Sequence, residues 1–266
     1  MVKHSLLSGL LVLVLLFAGT ISAMADKPAP PSDPVVFNAA GPSPDELYLG
    51  MTPEQRELAL KKEAASASYG VTTLNYYKWL DVPVREQETD YWCGPASGKS
   101  ILDYLGKVYT QSYLAGPYNP SQGQYGMETT QADGTIVWKY ARTLNDLDGD
   151  AVPPDWVWEY LNVNGNQQTL IDKLKWDLDR NLPQVNRSRM HPDESHYLKG
   201  FVTNYGHYIA LCGYDYRPDY GMDNICYTNS YEDPNNGSDT SLGRWWWPTG
   251  KVTYCNVVWD GGWIIW

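Results

Sequence analysis

The most constraining stretch of this sequence is residues 87–106, QETDYWCGPASGKSILDYLG. Cys93 is followed by Gly94 and Pro95, and then by apolar residues at helical spacing that stop at Gly106. Proline is tolerated in the first turn of a helix because the backbone N–H groups there have no intrahelical partner. The sequence therefore predicts a helix with Cys93 at its N-terminus.

A cysteine at a helix N-terminus is a candidate nucleophile. The helix dipole and the free N–H groups of the first turn favour an anion, and the thiolate is the reactive form of cysteine. Six residues upstream, Gln87 carries a carboxamide that can donate hydrogen bonds. Acyl transfer to a thiolate requires such donors at the developing oxyanion. We expect Gln87 and the Cys93 amide to supply them.

A thiol nucleophile also needs a nearby base, and histidine is the usual one. Outside the first 25 residues the histidines are His191, His196 and His207. The first two lie in a polar stretch that predicts a loop, where a side chain is weakly fixed. His207 begins the apolar run HYIAL, which predicts a strand that would hold its ring rigidly. His207 is therefore the predicted base; the alternative is a solvated histidine at a strand edge.

The residue that orients this base is sought on the partner strand of a predicted hairpin. Directly paired residues of antiparallel strands point to the same face. If Cys212 lies opposite Cys226, both Asn229 and Asp233 share the face of His207. Asn229 is preferred because it lies inside the regular strand, and Asp233 remains the alternative third member. A one-residue bulge would overturn this parity argument.

These motifs resemble a known family. Q-x5-C-G-P before a helix, with G-H-Y-I-A-L downstream, resembles the papain-like cysteine peptidases, above all the bacteriocin-processing branch (cysteine peptidase family 39) and its free-standing secreted relatives. The resemblance implies an α+β papain-like fold, with an N-terminal helical part packed against a C-terminal antiparallel β-sheet. It also implies a Cys-His-Asn/Asp triad. Relatives carry an Asp, often in a pair like Asp233-Pro234, whereas papain-type enzymes carry an Asn-Ser pair like Asn229-Ser230.

Three segments are predicted along the chain. Residues 1–25 have the basic start, the short apolar run and the A-M-A cleavage site of a secretory signal peptide. Residues 26–74 read as a Pro-rich linker and an N-terminal helical arm, which is either a surface helix or a pro-segment that covers the active site. Residues 75–266 form the peptidase domain. We expect a secreted protein, since the apolar run is too short to span a bilayer.

The charge of the chain limits its partners. It has 31 Asp and Glu against 20 Lys and Arg, a formal net charge of −11. An acidic surface argues against nucleic acid and anionic membranes, so we expect a peptide or protein substrate and a monomer. No cofactor or metal is predicted. The alternating Asp146, Asp148 and Asp150 lack the glycine and distal glutamate of a calcium loop, which predicts a solvated acidic turn.

Four cysteines are present, and a free Cys93 leaves three. A disulfide between Cys212 and Cys226 is the first expectation, and four small buried apolar residues are the alternative. Elsewhere, apolar spacing predicts helices near residues 136–144 and 168–178, a short strand at 182–185 and a loop at 187–198. In the tail, VTYCNVVW and WIIW are predicted strands.

Two other functions fit the same residues. The thiol chemistry could act on cell-wall amides or transfer acyl groups. Alternatively, the chain could be an inactive peptidase-like module that binds glycan or cell wall through its Trp-rich sheet, including residues 245–247. For the peptidase, Tyr91 and Trp92 are predicted substrate contacts because they directly precede Cys93.

Overall fold

The structure is a computed structural model that describes residues 48–69, 76–190, 198–202, 206–235, 239–257 and 262–266. Its helices are α1 (Pro53–Ala67), α2 (Cys93–Tyr104), α3 (Gln111–Ala115), α4 (Val137–Leu147), α5 (Gln167–Asp179) and α6 (Thr249–Val257). Its strands are β1 (Tyr76–Trp79), β2 (Tyr118–Asn119), β3 (Gln124–Tyr125), β4 (Tyr160–Asn162), β5 (Gln184–Arg189), β6 (Gly206–Arg217), β7 (Met222–Asn229), β8 (Gly243–Pro248) and β9 (Trp263–Ile265). The predicted signal peptide, His191 and His196 lie outside the described residues.

One antiparallel sheet organises the domain. Its strand order is β4-β9-β5-β6-β7-β8, and β2 and β3 form a separate two-stranded ribbon. The central strand β6 pairs with β5 along its first half and with β1 along its second half, while β7 pairs along its other edge. Helices and an antiparallel sheet together confirm the predicted α+β fold class.

The predicted core helices are confirmed with small shifts at their ends. In α2, Ile101 and Leu102 are fully buried, and Gly106 follows the helix with a φ of 77°. Helices α4 and α5 bury the apolar positions at helical spacing, such as Tyr140 and Leu174. Within the described part of the chain, no helix combines the length and apolarity needed to cross a membrane.

The hairpin of β6 and β7 contains one β-bulge. Leu211 pairs with Tyr227, but Cys226 then pairs with Gly213, so Cys212 is an extra residue in β6. A bulge changes which residues face each other only beyond the point of insertion. The bulge at Cys212 lies between the hairpin turn and the paired residues near the start of β6. The register on the His207 side is therefore the one that the parity argument assumed.

The expected disulfide between Cys212 and Cys226 is wrong. All four cysteines fall within the described residues and are free thiols. The two sulfur atoms are 3.2 Å apart and share a hydrogen bond, and both side chains are completely buried. Together with Cys255, which is also buried, they pack as small apolar residues.

Three local predictions are corrected by tertiary packing. The predicted strand at VTYCNVVW is wrong over residues 252–257: residues 249–257 form α6, which buries Val252, Cys255 and Asn256 on one helical face. Strand β5 extends to Arg189 into the predicted loop because β6 offers it a pairing edge. The acidic turn is not fully solvated, since Asp148 is buried and accepts a 2.8 Å hydrogen bond from the Trp158 indole.

Helix α1 is attached to the domain through a buried lysine. It begins with the predicted capping box at Thr52, and buries Lys62. The Lys62 ammonium donates to the Val157 carbonyl at 3.0 Å, and lies over the rings of Trp156 and Trp266 at 3.8 and 3.9 Å. Glu159 lies 3.7 Å away, and burial raises the pKa of its carboxyl to about 8. That residues 26–74 act as an inhibitory pro-segment stays a prediction.

Replacing Lys62 with methionine should destabilise the domain. The change removes the charged donor of the Val157 carbonyl and the cation that lies over two indole rings, and losing a buried hydrogen bond to a charged group costs about 2 kcal/mol. The neighbouring Lys61, whose side chain is 68% exposed, gives the matched control. We expect Lys61→Met to change the free energy of unfolding by less than about 0.5 kcal/mol. Urea unfolding at neutral pH measures both; equal effects would contradict the anchoring role of Lys62.

Candidate active site

The first residue of α2 is Cys93, as the sequence predicts. The N-cap is Trp92, which makes no side-chain capping hydrogen bond. Gly94 is required by a close approach, since a Cβ atom at this position would lie 2.1 Å from Thr135 Oγ1. The loop at Thr135 thus fits tightly against the helix N-terminus and leaves no room for another residue type after the cysteine.

The sulfur of Cys93 lies near the backbone of β6 at Tyr208. The backbone N–H of Tyr208 lies near this sulfur and favours its thiolate form, as do the N–H groups of Gly94 and of Cys93 itself. Burial raises the pKa of the Cys93 thiol, while these N–H groups and the positive charge of Arg187 oppose the rise. Because Tyr208 directly follows His207, the contact brings the thiol to the start of the strand that carries the predicted base.

The His207 ring is held by Asn229, the preferred third member. His207 Nε2 lies 2.7 Å from Asn229 Oδ1. Both side chains are buried, and the rings of Phe201 and Tyr231 flank the imidazole at centroid distances of 5.4 and 6.2 Å. Burial lowers the pKa of His207 to about 4, and the Asn229 hydrogen bond opposes this shift. The substrate-free environment thus favours the neutral imidazole.

The hydrogen bonds of Asn229 determine which imidazole nitrogen carries the proton. Its Nδ2 donates to the carbonyls of Tyr231 at 2.8 Å and Ser241 at 2.5 Å, so the oxygen must be the amide atom that faces His207. That oxygen also accepts from the Tyr231 N–H at 3.1 Å. An amide oxygen only accepts, so His207 Nε2 must donate. Nδ1 is therefore the unprotonated nitrogen of the neutral ring.

The alternative third member, Asp233, has different partners. It is buried, and its carboxylate accepts from the backbone N–H groups of Val202 at 2.9 Å and Asn235 at 3.0 Å. Its own N–H donates to the Ser241 hydroxyl at 2.7 Å. Asp233 thus joins backbone segments around the site, whereas Asn229 contacts the imidazole.

Gln87 lies between the end of β7 and the start of α2. Its backbone N–H donates to the Ser230 carbonyl at 2.8 Å. Its side-chain Nε2 donates to the Thr89 carbonyl at 2.9 Å, and the same carbonyl accepts from the Trp92 N–H at 3.3 Å. The carboxamide therefore lies beside the residue that precedes Cys93, where the sequence predicts an oxyanion donor.

Hydrogen bonds thus join His207 to Asn229 and Gln87 to Ser230, and the Tyr208 backbone lies near the Cys93 sulfur. Tyr91 and Trp92 are half-buried beside it, with ring centroids 6.2 Å apart. An open pocket elsewhere is lined by none of the site residues; its lining is Thr110, Ser112, Tyr113, Gly116, Pro117 and Gln124. The described residues contain no group of three or more His, Cys, Asp or Glu side chains arranged to hold a metal ion.

A family model described as "Peptidase C39 like family" matches residues 79–259. The chain belongs to this family. No curated protein matches it. The matched region begins in β1 and includes Cys93, His207 and Asn229, so membership covers the whole site. Membership in the Peptidase C39 like family confirms the resemblance to papain-like peptidases and supports a cysteine-peptidase type of function.

Sequence reasoning missed several groups that hold this C39-like site together. The Ser241 carbonyl and the Thr89 carbonyl are backbone acceptors, and any residue type supplies a carbonyl. The Tyr208 N–H is likewise a backbone group. Such contacts leave no pattern in the sequence. Ser230 was visible as part of the Asn-Ser pair, but the strand parity directed it away from His207.

Replacing Asn229 with aspartate should destabilise this C39-like domain, although aspartate keeps an acceptor for His207. The carboxylate loses both donors and faces the carbonyl oxygens of Tyr231 and Ser241. We expect a loss of about 3 kcal/mol in the free energy of unfolding. Asn162→Asp is the control because Asn162 uses its side chain as an acceptor for the Asn164 N–H. Thermal and urea unfolding compare the two; equal stability of Asn229→Asp and wild type would contradict the assigned amide orientation.

Proposed function

We propose that this protein is a secreted cysteine peptidase that hydrolyses peptide bonds. Cys93 is the nucleophile, His207 the general base and acid, Asn229 the residue that orients the imidazole, and Gln87 an oxyanion donor. The substrate is a peptide or protein chain. Tyr91 and Trp92 contact that substrate. Secretion is part of the proposal and is supported by the sequence of residues 1–25.

One observation carries the proposal: the 2.7 Å contact between His207 Nε2 and Asn229 Oδ1. With Nε2 protonated toward the amide, Nδ1 has the lone pair that a general base requires. Asn229 uses all four of its hydrogen-bonding positions within the domain, so the ring is oriented before substrate binds. A nucleophile, a base and an orienting third group are the arrangement that acyl transfer to cysteine requires.

Acylation begins when the Cys93 sulfur attacks the carbonyl carbon of the substrate. The S–C bond forms, the thiol proton moves to His207 Nδ1, and the C=O electron pair becomes an oxyanion. The Cys93 N–H and a Gln87 N–H donate to that oxyanion. As it collapses, the C–N bond breaks and the imidazolium gives its proton to the leaving nitrogen. The products are a free amine and a thioester on Cys93.

Deacylation repeats these steps with water. His207 Nδ1 takes a proton from the water as its oxygen attacks the thioester carbonyl, and the same donors receive the oxyanion. Collapse breaks the C–S bond and releases the carboxylic acid. The sulfur regains its proton from the imidazolium. Each catalytic group returns to its starting protonation state, so no cofactor is consumed.

The resting site favours a neutral thiol and a neutral imidazole. Burial disfavours both charged forms, since it raises the pKa of Cys93 and lowers the pKa of His207 to about 4. A preformed thiolate–imidazolium pair, the form expected from the helix dipole alone, is therefore the minor species without substrate. Proton transfer accompanies attack on the carbonyl.

The test of the proposal is a peptide-library digest with wild type and Cys93→Ala. We expect wild type to cleave peptides, and Cys93→Ala to lose at least about 10³-fold of that activity because the nucleophile is gone. Cys255→Ala removes a buried cysteine elsewhere and should keep activity above about half of wild type. Equal cleavage by wild type and Cys93→Ala would overturn the peptidase assignment. Binding to glycans without any cleavage or labelling of Cys93 would support the binding-module alternative instead.

The pH dependence of Cys93 alkylation tests the neutral resting pair. A thiol whose pKa is raised has a smaller thiolate fraction at any given pH, and the thiolate is the form that reacts. The iodoacetamide rate should therefore keep rising above about pH 8.5, the usual pKa of cysteine, with no plateau between about pH 5 and 7. Cys93→Ala measures the background from the other cysteines. A plateau in the acidic range would show a preformed ion pair and contradict this assignment.

A further inference from the structure

We propose that Ser230 is a positioning residue that orients the Gln87 carboxamide as an oxyanion donor. This inference rests on the proposed peptidase function and deepens it. It concerns a residue that the strand parity directs away from His207. Its hydrogen bonds are with Gln87 instead.

Ser230 binds Gln87 through two atoms. Its carbonyl accepts from the Gln87 backbone N–H at 2.8 Å, and its hydroxyl donates to Gln87 Oε1 at 3.3 Å. Ser230 is only 4% exposed, so its hydroxyl has little access to water. Among the described residues, that hydroxyl is hydrogen-bonded to Gln87 alone. A buried hydroxyl without this partner would be left unsatisfied, which favours the observed orientation of the carboxamide.

The Ser230 contact and the Thr89 contact act on opposite atoms of the same amide. Ser230 holds Oε1, while the Thr89 carbonyl accepts from Nε2 at 2.9 Å. Exchanging oxygen and nitrogen would place Oε1 against the Thr89 carbonyl, which is an unfavourable pairing of two acceptors. Nε2 has two hydrogens, and Thr89 engages one. The second is the N–H that donates to the substrate oxyanion.

Two consecutive residues therefore orient the two groups that assist Cys93. Asn229 orients the base, and Ser230 orients the oxyanion donor. Successive side chains of an extended chain point in opposite directions, which lets one strand end reach both groups. A donor held in place before reaction avoids the cost of ordering it during reaction. A freely rotating glutamine would have to lose rotamer freedom at that moment.

The experiment compares two reactions of the same thiol. Acylation of Cys93 by p-nitrophenyl acetate passes through an oxyanion, whereas alkylation by iodoacetamide does not. Ser230→Ala should slow acylation by about 3- to 10-fold, the value of one hydrogen bond, and change alkylation by less than about 2-fold. Ser230→Thr keeps the hydroxyl and should recover most of the acylation rate. Ser100→Ala, which removes a buried hydroxyl bonded to the Ala96 carbonyl, is the control.

Double variants locate the effect at Gln87. Gln87→Ala should slow acylation by about 10²-fold, and adding Ser230→Ala should cause no further loss, because Ser230 acts through Gln87. Additive losses would overturn the positioning role, as would an unchanged acylation rate or an equal fall in acylation and alkylation. A wild-type protein whose acylation and alkylation match those of Cys93→Ala would instead overturn the proposed function, and this inference with it.

Discussion

The candidate site depends on the hydrogen bonds of the Asn229 carboxamide. This carboxamide is completely buried, and each of its hydrogen-bonding positions has a partner within the domain. A buried polar group is stabilising only when it is satisfied in this way. The amide therefore fixes three things at once: the orientation of the imidazole, its tautomer, and the path of the chain around Tyr231 and Ser241.

From Asn229 the contacts extend in two directions through the candidate site. His207 precedes Tyr208, whose N–H lies near the Cys93 sulfur. In the other direction, Ser230 holds Gln87, and Gln87 shares the Thr89 carbonyl with the residue before Cys93. His207 and Gln87 are thus each held by a side chain from the end of β7 or from the residue that follows it. Such a network gives the pre-organised donors that electrostatic catalysis requires.

Burial of this site has a cost as well as a benefit. Excluding water strengthens the hydrogen bonds that orient His207 and Gln87. It also disfavours the charged forms of thiol and imidazole, so the helix N-terminus does not by itself produce a stable thiolate. The backbone N–H groups near the Cys93 sulfur partly offset this effect of burial on its pKa. Burial therefore affects both the orientation of these side chains and their protonation states.

The sequence alone predicted most of the local elements and the side chains of the candidate site. Helical spacing after Cys93, the strand at His207 and the parity of the hairpin led to Cys93, Gln87, His207 and Asn229, because those signals are short-range. Only the tertiary structure decided what depends on distant neighbours. Packing made residues 249–257 a helix despite their strand-like composition, and the bulge kept Cys212 from facing Cys226 directly. The sequence kept Asp233 as an alternative to Asn229, because the carbonyls of Tyr231 and Ser241 that hold the Asn229 amide beside His207 are the same in every residue type.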